Sequence, residues 1–192
     1  DLKTFKITDQ MSGRMMGIRA DITPQVARID AHSQNKKGVA RFCYAGTVLH
    51  AQANNMLASR APLHVGAELF GDSGSPADLE IVSLMVESLH SLGMPSVVIE
   101  LGDVGIFRLL VQQFKISPET EEKLFALIQK KAMVELETCV QELDLDAGHK
   151  QIILELPGLC GNSGVLARAE AVFGGYPQIM QRLASLGEVA RG

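Results

Sequence analysis

The chain has 192 residues, 46% of them hydrophobic, and a formal net charge of −4. That length holds one domain or one and a half, with apolar content for a real core, and no apolar run approaches the ~18 residues of a membrane span. The charge lacks a basic stripe, which argues against a nucleic-acid face, because phosphate contacts need clustered Lys and Arg.

Asp1-Leu2-Lys3-Thr4 carries no initiator Met and lacks the basic-then-apolar order of a signal peptide. It reads as the interior of a strand, and the chain as an internal fragment of a longer protein. Residues 3–8 and 15–19 flank Ser12-Gly13 as a hairpin, with Met15 and Met16 expected in the core. Thr23-Pro24 starts a helix: the Thr oxygen is a natural cap, and Pro at the first helical position sacrifices no needed donor. Val26 and Ile29, with Ala27 and Ala31, give that helix an inner face, and Gly38 supplies a left-handed stop.

Val39–Leu49 and Leu63–Phe70 read as long strands. The polar, Ala- and Asn-rich stretch Ala51–Ala61 between them reads as a mobile loop. Ser75-Pro76 opens a second helix, with Ile81, Leu84, Met85 and Leu89 at helical spacing, and Gly93 ends it. Ser96–Leu101, with its Val-Val-Ile centre, reads as a buried strand. Val104–Phe114 reads as a short helix.

From about residue 115 only helices are expected. Ser117-Pro118 opens one through Gln129; Met133–Leu143, His149–Leu156, Val165–Phe173 and Pro177–Leu186 follow, joined by short turns. The expected fold class is α+β, with an antiparallel sheet and flanking helices over 1–115 and an all-helical region over 116–192.

Three cysteines, Cys43, Cys139 and Cys160, are far apart and odd in number. They point to a reducing compartment, read as cytoplasmic, without a disulfide framework. No two stand at metal-ligand spacing, and the five histidines are scattered, so no metal site is expected. The glycine-rich Gly158–Gly164 follows a helix and lacks a Lys, so it reads as an interhelical turn rather than a phosphate cradle. Cys160 has no base placed by sequence to activate it and reads as a turn thiol. Glu119, Glu121, Glu122 and Lys123 read as a solvated helix face.

Asp21 and Thr23 are one residue apart, so in an extended segment both side chains share a face. A carboxylate beside a hydroxyl suits a substrate ammonium group; the structural reading is a helix cap preceded by an ordinary acid. In Leu63–Phe70 the even positions His64, Gly66, Glu68 and Phe70 share one face, and the apolar odd positions should be core. Gly66 leaves room for a ligand or another backbone to approach; the alternative is a solvated face.

Taken together, Met16–Gln25, Arg41–His50 and Leu63–Gly71 resemble the region around motif 2 of histidyl-tRNA synthetases. They look closer still to the family's non-synthetase relatives, the regulatory subunits of ATP phosphoribosyltransferase. The phrases Asp9–Gly17 and Arg28–His32 add to that resemblance. It implies a histidine site formed by Asp21, Thr23, His64 and Glu68, with Asp21 standing for the usual Glu and His64 for the usual Gln. The Arg and Glu that hold ATP in synthetases are here His50 and Gln52, with Arg60 nearby. A neutral His lacks the planar fork that grips phosphate, and Gln supplies no carboxylate.

The resemblance therefore implies a non-catalytic subunit of histidine biosynthesis that needs no cofactor. It implies histidine as effector, the short-form ATP phosphoribosyltransferase catalytic subunit as partner, a homo-oligomer, and no nucleic-acid or membrane partner. It also implies that the family's dimerisation motif, the segment that closes over the imidazole, and the last ATP motif lie outside this sequence. Two other readings stand beside it: a fragment of an authentic histidyl-tRNA synthetase, and a free-standing amino-acid-binding module.

Overall fold

The computed structural model describes residues 4–34, 37–53, 55 and 57–192. They form two compact units, Asp1–Gly93 and Met94–Gly192.

The first unit begins with the hairpin β1 (Phe5–Thr8) and β2 (Met15–Ile18), antiparallel, with Phe5 opposite Ile18 and Thr8 opposite Met15. Asp9 organises its turn: its carboxylate accepts from the backbone of Met11 and Ser12, and Gly13 takes a positive φ. Helix α1 (Thr23–Ile29) runs into a π-helical turn over Asp30–Gln34. Strands β3 (Ala40–Thr47) and β4 (Leu63–Phe70), both expected as strands, pair antiparallel along their whole length. Helix α2 (Ser75–Ser91) follows, and Gly93, at positive φ, ends it.

One face of β3–β4 carries Phe42, Tyr44 and Phe70, packed on Ile22 and Val26 of the α1 region and on Val48. The other face departs from expectation. The odd positions of β4 were to be core, yet Leu63 and Val65 are 67% and 76% exposed. A two-stranded sheet has two faces to cover, and α2 reaches only one end of the second. There Arg41 of β3 pairs with Glu80 of α2 (Nη2 to Oε2, 2.7 Å), and the guanidinium holds the Glu80 carboxyl below its ordinary range. Met15 and Met16 are likewise exposed rather than core, because nothing among the described residues covers their ribbon. Ile29, expected on the inner face of α1, is exposed too.

Ser96–Leu101 is not a strand. No described strand pairs with it, and Val98 is 87% exposed. Its β-branched composition favours a pleated, half-buried surface, but a strand exists only through its ladder.

The second unit is helical: α3 (Val104–Gln113), α4 (Pro118–Lys130), α5 (Met133–Gln141), α6 (Ala147–Glu155), α7 (Gly164–Phe173) and α8 (Pro177–Arg191). Local signals set the boundaries. Ser117 Oγ accepts from Thr120 N at 3.3 Å, and Asp146 Oδ1 accepts from His149 N at 3.0 Å. That last bond holds the Asp146 carboxyl below its ordinary range. The core joins Leu110, Leu124, Leu136, Val140, Ile153, Phe173 and Ile179, all essentially without solvent contact. Helix α3 belongs to this core through Ile106, Phe107, Leu110, Val111 and Phe114. The compact units thus divide before α3, whereas the change of character read in the sequence falls after it. A short 3-10 turn (Leu156–Gly158) and the irregular residues 159–163 connect α6 to α7, the interhelical connection expected for this glycine-rich stretch.

Candidate functional site

Directly opposed residues of β3 and β4 share a face. The register sets Phe42 against Glu68, Tyr44 against Gly66, and Gly46 against His64. The segment Arg19–Thr23 crosses the same face: Arg19 Nε donates to Thr47 O at 3.2 Å, and Leu49 N donates to Arg19 O at 3.1 Å. This bracing brings Asp21 and Thr23 from the start of α1 to Glu68 and His64 of β4.

Thr23 does not cap its helix. The N-cap position belongs to Ile22, whose side chain makes no capping hydrogen bond. Asp21 supplies the acceptor instead: its Oδ1 takes Ile22 N at 2.6 Å and lies 3.4 Å from Thr23 N. The Thr23 hydroxyl is released to the sheet and donates to Glu68 Oε1 at 2.6 Å. Tyr44 OH stands 3.4 Å from the same Thr23 oxygen. The Tyr44 ring lies over Gly66, where a Cβ would overlap it. The space left by the glycine is thus filled by an aromatic ring.

His64 Nδ1 lies 3.9 Å from Asp21 Oδ1. The His64 ring meets His50 edge-on, with centroids 5.9 Å apart, and His50 Nε2 is 3.1 Å from Ala20 O. Asp21, Thr23, His64 and Glu68 therefore form one polar cluster, and His50 borders it. Arg60 turns elsewhere: its Nε donates to His50 O at 3.1 Å, and its guanidinium sits 4.9 Å from the centroid of the Phe5 ring. Gln52 is exposed in the bend after β3.

Two carboxylates and a hydroxyl, half-exposed and held by backbone and sheet, are suited to an ammonium group. The fixed carboxylates supply charge, and the hydroxyl supplies direction. With His50 turned to a backbone carbonyl and Gln52 in solvent, no planar fork faces the cluster from those two positions. Tyr44 is the member that sequence reasoning did not single out. The signal was available in the register, since an aromatic opposite a glycine on a shared face fills the glycine's space. Among the described residues no group of three or more His, Cys, Asp or Glu is placed to hold a metal, and no helix is long and apolar enough to cross a membrane.

The family model described as Histidyl-tRNA synthetase matches residues 1–192. An ATP phosphoribosyltransferase regulatory subunit of Saccharophagus degradans is 48% identical over 92% of this chain and 45% of its own length. One of Nitrosococcus oceani is 47% identical over 99% of the chain and 48% of its own length. A crystal structure described as an ATP phosphoribosyltransferase regulatory subunit/histidyl-tRNA synthetase, from Bacillus halodurans, superposes with a TM-score of 0.80 at 25% identity. It covers all of this chain and 51% of that one. The chain spans about half the length of the curated relatives it matches.

Proposed function

The chain belongs to the histidyl-tRNA synthetase family, and within it we propose that the whole protein is a regulatory, non-catalytic subunit of ATP phosphoribosyltransferase. In this reading it binds histidine at Asp21, Thr23, His64 and Glu68, and acts on a short catalytic subunit as part of a homo-oligomer. The observation that carries the proposal is the Thr23–Glu68 hydrogen bond beside Asp21 and His64, set next to His50 and Gln52 where a synthetase keeps its phosphate grip. An amino-acid cluster without an ATP clamp suits sensing rather than activation, because the clamp stabilises the charge that develops on the reacting phosphate. The names of the relatives support the same choice.

Two measurements on the full-length protein test it. Calorimetry should detect histidine binding. Histidine-dependent ATP–pyrophosphate exchange should stay at background. A second reading, an aminoacylating enzyme, is favoured by the description of the matching family; exchange at a synthetase-like rate would establish it and end the first.

A further inference from the structure

We propose that the cleft between α3 and α8 is a binding site for a small oxyanion, a carboxylate or phosphoryl group, held by Arg182 and Arg108 with Gln112. The cleft lies wholly in the helical unit and shares no residue with the cluster around Thr23. It is an open cleft of about 390 Å³, a volume suited to a small ligand. Gly105, Arg108, Leu109 and Gln112 form one wall, because residues three and four apart share a helix face. Arg182 comes from α8.

The Arg182 guanidinium lies directly on Gly105, where any Cβ would overlap it. It meets Asp103 end-on: the single nitrogen Nη1 reaches Oδ1 at 2.9 Å and Oδ2 at 2.8 Å. A fork-to-fork pair would use two nitrogens. The end-on pair leaves Nε and Nη2 of the five-donor fork uncommitted to Asp103. Asp103 Oδ1 also accepts from Gly105 N at 2.7 Å, so the first turn of α3 is already capped and is not itself the anion's seat. Arg108, Arg182 and a single carboxylate, Asp103, line the cleft together. The balance is cationic, and two guanidinium groups with an amide suit an acceptor with two or more oxygens. Val104 and Leu109 supply apolar lining for a short carbon body.

Titration of the full-length protein with inorganic phosphate and, separately, with acetate distinguishes the two sources. Ionic strength is kept constant with chloride, and the arginine Nε–H resonances are followed by NMR. A saturable shift of the Arg182 resonance with either anion is expected, and the anion that saturates at lower concentration names the class. Arg108→Gln changes an exposed helical position and should leave the melting temperature unchanged, while weakening that anion about tenfold or more. No saturable shift with either anion, an equal response to chloride, or an Arg108→Gln protein that titrates like the parent would each overturn the proposal.

Discussion

Gly66 has no side chain because the Tyr44 ring occupies the space above it. An added methyl would strike ring carbons as well as the hydroxyl, so it forces the ring off its rotamer or parts the strands. Gly66→Ala should therefore destabilise the protein by about 1–3 kcal/mol, the usual cost of overpacking, measured by denaturant unfolding. Adding Tyr44→Phe should not rescue it, because the ring itself remains; full rescue would show that only the hydroxyl collides. Asp21 makes a different kind of statement. Its carboxylate holds the backbone of Ile22 while lying close to His64. If the cluster takes an ammonium, Asp21→Asn removes a charge-assisted bond worth about 1.5–3 kcal/mol, and histidine should bind the full-length protein roughly tenfold more weakly or worse. The amide oxygen of Asn still accepts from Ile22 N, so α1 should keep its start. Unchanged affinity by calorimetry would take Asp21 out of the site.

The elements form where their signals are local. Ser117 caps α4 with its own hydroxyl, and Ser117→Ala should cost about 1 kcal/mol of stability, read as a lower midpoint of thermal unfolding. Gly93 ends α2, and the residue pattern of β3 and β4 marks both as strands. All of that was legible from neighbouring residues. What was not legible depends on groups far off in the chain. Thr23 looked like a cap, but Asp21 takes the nearby backbone N–H groups and Glu68, forty-five positions on, takes the hydroxyl. Ser96–Leu101 has the composition of a buried strand and lacks only a partner. The odd face of β4 is apolar by pattern, yet Leu63 and Val65 stay exposed because α2 meets the sheet at the Arg41 end. The same pattern makes helix and strand apolar faces visible, but it does not say which element covers them. Asp21, Thr23, His64 and Glu68, the residues that the family resemblance implied, do lie together; Tyr44 was not singled out, because its contact depends on register rather than on its own neighbours.

At the scale of the whole molecule, sensing requires more than a pocket. A ligand with equal affinity for two arrangements shifts neither, so histidine regulates only if it binds one state of an assembly more tightly than another. In the reading proposed here, that assembly joins a homo-oligomer of the full-length protein to the short catalytic subunit. Adding the full-length protein to that subunit should raise phosphoribosyl transfer, and adding histidine should lower it. Linkage then fixes a second number without further assumption: the factor by which histidine weakens or tightens subunit binding must equal the factor by which the subunit changes histidine affinity. Both are equilibrium quantities. Calorimetry of histidine with and without saturating catalytic subunit gives one, and sedimentation of the subunits with and without histidine gives the other. Coupling in this range is typically about 1–3 kcal/mol, or some five- to 150-fold. Equal factors different from unity would establish that histidine and the catalytic subunit are coupled, and their loss in Asp21→Asn would assign that coupling to the Thr23–Glu68 cluster. A histidine affinity indifferent to the subunit, with no complex on sizing, would leave a free-standing amino-acid-binding module as the better account of the same residues.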